Sequence, residues 1–249
     1  MRLTRIYVPG PLAVGNEVPL PEQAGMHLTR VLRLEEGAPV TLFNGAGGEY
    51  SATLGARHGK SGRSTARVVS HDPVERESPL SITLLQGVAR GERMDLIVQK
   101  ATELGVARIL PVLAERSVVR VDAKQRARKR EHWQSIAISA CEQCGRNRVP
   151  TVADPLTLGD AVARLPPDAA RALLAADGAT SLTAFAPQSA GRPLVLLIGP
   201  EGGLADNECQ FALANGFTGC RLGPRILRTE TAGLAALAAL QAIGGDFPD

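Results

Sequence analysis

Two glycine-containing turns in the last quarter of the sequence carry the residues best suited to chemistry. The first is "VLLIGPEGGLADNE" (195–208), between an apolar run and a helix-forming segment, and the second is "RLGPRILRTETA" (221–232), after another short apolar run. Glycine lets the backbone approach a ligand closely, and ligands of open parallel sheets bind beyond the carboxyl ends of the strands. The two turns are therefore candidate walls of one pocket; the alternative is a pair of tight connections without a ligand.

The charged residues of these turns limit the kind of ligand. Glu201 would repel a polyphosphate, and the first turn matches neither of the usual nucleotide patterns, G-x-G-x-x-G and G-x-x-x-x-G-K-[ST]. A neutral or cationic small molecule is favoured instead. Arg225 and Arg228 suit a phosphate or a developing anion, or else form structural ion pairs, and Thr229 is a candidate cap for the apolar helix that follows.

The elements around the turns predict two domains. From residue 80 onward, apolar strands alternate with helical segments, which indicates an α/β domain with a mainly parallel sheet. Before residue 71, short strands separated by glycine turns indicate a small antiparallel barrel, interrupted by a short helix within 21–34. The segment "HDPVERESP" has two prolines and no periodicity, so we place the boundary there, between domains 1–72 and 73–249.

Composition excludes several classes of protein. The chain has 249 residues, of which 44% are hydrophobic, enough for a buried core. It contains no uncharged apolar run long enough for a membrane span and no signal-peptide pattern, so we expect a cytoplasmic protein. The four histidines are scattered and none lies in a nucleophile motif, so a histidine-based triad is not indicated.

The four cysteines read as reduced, structural thiols. Cys141 and Cys144 form a C-x-x-C pair late in a helix, whereas a thioredoxin-like pair would begin one. A zinc site would need a second such pair, but Cys209 and Cys220 are eleven residues apart. We therefore expect no metal.

Positive charge is concentrated in one segment. Residues 115–150 contain nine Lys and Arg against four Asp and Glu, a net charge of +5, although the whole chain carries only +3. This cluster indicates a polyanionic partner or, alternatively, a solvated helix face. Aromatic residues make up 3% of the chain, so phosphate contacts rather than base stacking would dominate any binding of nucleic acid.

Six segments in order resemble the RsmE family of ribosomal RNA uridine-N3 methyltransferases, in the SPOUT superfamily. They are "HLTRVLRLEEG", "RMDLIVQKATELGV", "ERSVV", "W" followed by "ISACEQCGRNRVP", "LIGPEGGL" with Glu208 downstream, and "LGPRILRTETA". The resemblance covers nearly the whole chain. Two positions depart from the family pattern, because Leu204 stands where an aromatic residue is common and Cys144 where a serine is common.

The resemblance implies a fold and a cofactor. The fold is a PUA-like, RNA-binding β-barrel domain followed by an α/β domain with a parallel sheet and a trefoil knot, acting as a homodimer. The cofactor is S-adenosylmethionine, held in the knot. The cofactor-binding residues that it implies are Leu174, Ile198, Gly199, Pro200, Glu201, Gly202, Gly203, Leu222, Gly223, Pro224, Ile226 and Leu227.

The implied reaction is methylation of N3 of a uridine in small-subunit (16S) ribosomal RNA, either naked or in the assembled subunit. Arg228 is the candidate for stabilising the charge on the base, and Glu230 is either a proton acceptor or only a cap of the last helix. RNA contact is expected from Arg5, Arg30, Arg33, Arg116, Gln143 and Arg146. The alternatives are a methyltransferase of this fold acting on another RNA site and a non-catalytic RNA-binding module.

Overall fold

The chain forms two compact units in the computed structural model, which describes residues 4–58, 63–118 and 122–247. The first unit comprises Met1–Glu77 and Cys141–Val149, and the second comprises Ser78–Ala140 and Pro150–Asp249. The sequence-based boundary at 72/73 differs from this division, which assigns 141–149 to the first unit. The predicted domain ends at residues 1–3 and 248–249 lie outside the described residues.

The first unit is a five-stranded sheet with one short helix. Its strands lie in the order β1-β3-β4-β5-β2, and all pairs are antiparallel except β1 with β3. Its elements are β1 (Arg5–Tyr7), β2 (Glu17–Pro19), α1 (Glu22–Met26) with a π-helical turn (His27–Val31), β3 (Pro39–Phe43), β4 (Glu49–His58) and β5 (Arg63–Asp72). Two irregularities in the β4–β5 register bend these long strands.

One pairing departs from the predicted antiparallel arrangement. β1 lies parallel to β3, with Arg5 opposite Thr41, because the chain between them passes through β2 and α1 before it returns in the same direction. The predicted short helix is present within 22–31. Alternate residues of the central strands build the core, as period-two burial requires. These core residues are Val40, Leu42, Ala52, Leu54, Ala66 and Val68.

The second unit is a seven-stranded, wholly parallel sheet. The strands lie in the order β10-β12-β9-β11-β6-β7-β8. They are β6 (Ile82–Gly87), β7 (Arg108–Val112), β8 (Thr151–Val152), β9 (Ala170–Leu174), β10 (Thr180–Ser181), β11 (Leu194–Ile198) and β12 (Phe217–Arg221). Every residue of β11 is buried, as expected for a central strand of a parallel sheet covered on both faces.

Helices connect the strands of this sheet. They are α2 (Glu92–Glu103), α3 (Ala123–Cys144), α4 (Leu158–Val162), α5 (Leu182–Phe185) with a 3₁₀ turn (Pro187–Ser189), α6 (Asp206–Ala214) and α7 (Thr229–Gly244). The last helix packs on α2, α5 and β11. Among the described residues, no helix combines the length and the apolar character that crossing a membrane would require.

A buried ion-pair network in the first unit contains Arg5. Its guanidinium donates to Glu49, to the Arg146 carbonyl at 3.2 Å and to Asn147 Oδ1 at 2.6 Å, and it lies 4.9 Å above the centre of the Phe43 ring. Glu49 also accepts a hydrogen bond from Arg76 at 2.8 Å. The strand β1 is therefore tied to the segment 141–149 of the same unit.

This network predicts an acid-sensitive first unit. The hydrogen bond from Arg76 is the largest influence on Glu49, and with Arg5 it lowers the pKa of Glu49 below its ordinary value although burial opposes this. A carboxyl group whose pKa is lowered on folding stabilises the folded state at pH values above its ordinary pKa. This stabilisation is lost as the pH falls through the lowered pKa. We expect Glu49→Gln to cost about 2 kcal/mol at pH 7 and to flatten the stability profile between roughly pH 5 and 3. Urea unfolding across that range is the measurement, and a variant whose profile parallels wild type would contradict the assignment.

Candidate active site

A cavity of about 720 Å³ opens at the carboxyl ends of three neighbouring strands, β11, β9 and β12. The loop 199–205 follows β11, the loop 222–228 follows β12, and the end of β9 lies between them. Its walls include ten of the twelve predicted cofactor residues, while Gly223 and Pro224 are outside the lining. The ten are Leu174, Ile198, Gly199, Pro200, Glu201, Gly202, Gly203, Leu222, Ile226 and Leu227.

The first loop depends on glycine at its two ends. A Cβ on Gly199 would lie 2.9 Å from the Leu204 nitrogen, and Gly203 has φ +70°, a left-handed conformation that glycine adopts without strain. A Cβ on Gly87, at the end of β6, would lie 2.4 Å from the Pro200 nitrogen. The backbone of this loop therefore packs directly on the neighbouring strand, which leaves its other side to face the cavity.

The second loop contributes half-buried and exposed side chains to the cavity. Leu222 and Leu227 are half-buried, whereas Ile226 is 88% exposed. Gly223 has φ +76° and makes the turn. Ile226 therefore lines the cavity at its solvent-exposed rim.

A chain of hydrogen bonds joins the start of α7 to the first loop and to β6. Gln86 is fully buried, and its Nε2 donates to the Thr229 hydroxyl at 2.9 Å. Thr229 Oγ1 in turn donates to the Gly199 carbonyl at 2.6 Å. The predicted cap role of Thr229 is therefore wrong, because its hydroxyl donates outside the helix and Arg228 occupies the N-cap position without a side-chain cap bond.

A charged cluster of Glu201, Arg93 and Glu230 lines the cavity. Glu201 Oε1 accepts hydrogen bonds from the Arg90 N–H at 2.9 Å and from Arg93 Nη1 at 3.0 Å. Burial tends to raise the pKa of Glu201, but the bond from the Arg90 N–H, a backbone N–H of its own and Arg93 together hold that pKa below its ordinary value. Arg93 Nε is also 3.9 Å from Glu230 Oε1. The cluster therefore keeps a carboxylate ionised at the cavity.

The two predicted catalytic residues flank Thr229. Arg228 is exposed and lines the cavity, and Glu230 is half-buried in the first turn of α7. Glu230 Oε2 is buried and has no hydrogen-bond partner among the described residues. The arrangement places a cation and an uncommitted carboxylate oxygen on the same side of the cavity.

The structure divides the predicted RNA-binding residues into two groups. Arg30, Arg33, Gln143 and Arg116 are exposed. Arg5 and Arg146 are buried, and Arg146 donates to Glu77 through Nε at 3.1 Å. Arg116 Nη1 donates to the Leu204 carbonyl at 3.2 Å, so Arg116 also braces the first loop. The positions of Arg5 and Arg146 favour a role within the first unit over direct contact with RNA.

Several lining residues were not predicted from the sequence. Arg93 comes from α2, more than a hundred residues before the loops, and although it begins the segment "RMDLIVQKATELGV", nothing in that segment indicated a place at the cavity. Leu174, the last residue of β9, was among the predicted cofactor residues, and Ala175 and Ala176 could have been found with it because they follow a strand terminus at the same edge of the sheet. The lining residues that lie outside both predicted turns and outside the predicted cofactor set are Arg93, Leu173, Ala175, Ala176, Cys209 and Cys220.

The cysteines are free, and burial controls their chemistry. Burial raises the pKa of Cys141 to about 12 and that of Cys220 to about 11, which keeps both protonated at neutral pH. In the described part of the chain, no three His, Cys, Asp or Glu side chains are placed to hold a metal ion. We expect Cys141→Ser with Cys144→Ser to retain near wild-type turnover; loss of turnover with the fold intact would contradict the structural interpretation.

The fold and cavity define a class of protein: an α/β enzyme domain with a ligand site between glycine loops, joined to a small β unit. A family model described as "RNA methyltransferase domain" matches residues 76–241, and one described as "RNA methyltransferase PUA domain" matches residues 20–62. The chain belongs to the ribosomal RNA small subunit methyltransferase E family.

Named relatives support this membership. The ribosomal RNA small subunit methyltransferase E of Synechocystis is 38% identical over 87% of this chain and 70% of its own length. The Bacillus subtilis protein of that name is 34% identical over 86% and 85%. The Neisseria gonorrhoeae protein, crystallised with S-adenosylmethionine, is 39% identical with TM-score 0.90 over 99% of this chain and 100% of its own. The predicted family is confirmed, and so is the predicted fold class of a PUA domain followed by an α/β domain with a parallel sheet.

Proposed function

We propose that this chain transfers the methyl group of S-adenosylmethionine to N3 of a uridine in small-subunit ribosomal RNA. The observation that carries the proposal is the cavity of residues 198–204 and 222–230, which has a cofactor-sized interior and both Arg228 and Glu230 at its edge. Family membership makes the chain an S-adenosylmethionine-dependent methyltransferase of ribosomal RNA. The uridine and the N3 atom are the finer part of the proposal.

The residues of the cavity fit this cofactor. Its walls combine apolar side chains with the backbone of the two loops, and Glu201 offers a negative charge suited to a cationic ligand. Leu173, Leu204 and Leu222 would hold the apolar parts, and the backbone of 199–203 would bind the polar ones. When bound, the sulfonium group supplies an electrophilic methyl carbon.

Arg228 and Glu230 would handle the charge and the proton of the uridine. N3 of uridine is mostly protonated at neutral pH, so methylation requires removal of that proton and stabilisation of negative charge on the flanking carbonyl oxygens. Glu230, whose Oε2 has no hydrogen-bond partner among the described residues, would accept the proton, and the Arg228 guanidinium would stabilise the charge. The remaining acceleration comes from holding N3 in line with the methyl group.

The other parts of the proposal concern assembly. The chain segment after β12 crosses the end of β9 to reach Gly199 and Gln86, a path that a trefoil knot would require.

Half-buried apolar residues of α7, including Leu234 and Ala238, offer a surface for a second copy, so we propose a homodimer. Arg30 and Arg33 of the first unit would contact the RNA, and the site of action would be the cytoplasm, where the small subunit is found.

One experiment tests the proposed reaction. The protein is incubated with labelled S-adenosylmethionine and undermethylated small ribosomal subunits, and the labelled nucleoside is identified after digestion. We expect 3-methyluridine at a single position. Label on a carbon atom, on ribose or on another base would exclude the N3 assignment, and label that appears only with naked RNA would identify the free RNA as the substrate.

A further inference from the structure

The first half of α3 carries a dense group of cations outside the cavity. Five of seven consecutive residues are basic, and we call this stretch, residues 124–130, the basic half of α3. Its basic residues are Lys124, Arg126, Arg128, Lys129 and Arg130. Lys124 and Arg128 are exposed and the other three are half-exposed. Arg130 pairs with Glu131 and Asp154 at 3.6 and 3.8 Å, but in the described part of the chain Lys124, Arg126 and Arg128 form no ion pair.

This arrangement of charge disfavours the helix that carries it. Lys124 with Arg128, and Arg126 with Arg130, are like charges four residues apart, which repel each other on a helix surface. The positive end of the helix dipole also disfavours cations in the first turns, and the first turn of α3 contains no acidic residue. A helix face that served only solubility would alternate acidic and basic residues at this spacing. The basic half of α3 is therefore suited to a negatively charged partner.

The chemistry of the surface identifies the phosphate backbone as that partner. Trp133, the aromatic residue of α3, is 3% exposed, and Lys129 lies 5.6 Å from the centre of its ring, so the indole cannot stack on a base. The exposed cations are long and flexible, and they are hydrogen-bond donors only, which matches the acceptor oxygens of phosphate. They would neutralise phosphates without regard to sequence.

We infer that the basic half of α3 is a second RNA-binding surface, which anchors the phosphate backbone of the substrate while the cavity selects the base. The inference rests on the proposed RNA substrate but does not depend on which atom is methylated. It assigns the affinity for RNA to the second unit as well as to the PUA domain. Removal of the positive charges of the basic half of α3 would weaken RNA binding without altering the cofactor site.

The test is the double variant Lys124→Glu with Arg126→Glu. Both changes place acids in the first turn and turn the two repulsive pairs into attractive Glu–Arg pairs at the same spacing. We expect the thermal midpoint to stay equal or rise, while affinity for unmodified small-subunit ribosomal RNA falls at least about tenfold. The slope of log affinity against log salt should fall in magnitude by about 2, since each lost phosphate contact contributes roughly 0.9.

A matched control keeps the total charge change equal. Arg164→Glu with Arg192→Glu alters two exposed arginines of the second unit that lie outside α3, and it should leave the salt slope unchanged. Wild-type RNA affinity in the α3 variant, or an equal loss in the control, would overturn the inference. A lower thermal midpoint would also overturn it, because the cations would then serve the fold. Loss of binding to assembled subunits but not to naked RNA would point to a protein contact and overturn it too.

The same samples separate this inference from the proposed function. If wild-type protein forms no 3-methyluridine and yet loses RNA affinity on charge reversal, the proposed reaction fails and the RNA surface stands. If wild type methylates the uridine and charge reversal changes neither the affinity nor the KM for RNA, the reaction stands and the surface fails. The dissociation constant of S-adenosylmethionine should be the same in all variants.

Discussion

Replacing Arg228 by alanine is expected to lower the turnover number for methyl transfer by about 10²- to 10³-fold, the usual effect of removing a donor that stabilises a developing anion. Arg228 lies at the N-cap of α7 and lines the cavity. It forms no ion pair or side-chain hydrogen bond with the described residues, so its charge is available to a substrate. The measurement is the initial rate of label transfer to undermethylated small subunits at saturating concentrations of both substrates.

Binding and fold should survive this change. The dissociation constant of S-adenosylmethionine, measured by calorimetry, should remain within about threefold of wild type, because the cavity walls do not need the guanidinium; a loss confined to cofactor affinity would give Arg228 a binding role instead. Arg228→Lys should recover part of the turnover, since it keeps the charge but not the planar fork of donors. Arg164→Ala, an exposed arginine outside the cavity, is the control. Unchanged turnover in Arg228→Ala would remove this residue from the mechanism.

The sequence was most informative where chemistry and local structure depend on adjacent residues. The turns at 199–203 and 222–227 were recognisable because glycine, proline and a buried strand occur together within a few residues. Two such turns after parallel strands must meet at one edge of the sheet, and this fixed the position of the pocket. The preference for a neutral or cationic ligand over a polyphosphate also followed from one local residue, Glu201.

Long-range partners were not recognisable in the same way. Arg93 and Glu201 are separated by 108 positions, and Arg5 and Asn147 by 142. The sequence does not distinguish an exposed arginine from a buried one, because the same side chain can lie on the surface or pair with an internal carboxylate. Arg5 and Arg146 were therefore assigned to RNA, although the structure pairs them with Glu49 and Glu77. The sequence did not indicate that residues 141–149 belong to the first unit, because their partners in that unit are also distant along the chain.

The hydrogen bonds of Thr229 give the second large prediction. Its hydroxyl accepts from Gln86 and donates to Gly199, and the adjacent residues are the two that would act on the base. The hydrogen bonds of Thr229 therefore set the distance between the loop 199–205 and the two residues Arg228 and Glu230. We expect Thr229→Val, which keeps the shape and removes the hydroxyl, to reduce turnover about 10²-fold, the scale on which a misplacement of about 1 Å acts.

Two further variants separate positioning from stability. Thr229→Ser restores the hydroxyl and should return most of the turnover. Thr102→Val removes another buried hydroxyl of the second unit, bonded to the Val98 carbonyl at 2.8 Å, and should lower the thermal midpoint without lowering turnover. A positioning role requires the loss in Thr229→Val to fall mainly on turnover, with little change in KM for RNA. If serine does not restore activity, or if Thr102→Val loses as much turnover, Thr229 contributes only stability and the spacing of Arg228 and Glu230 is set elsewhere.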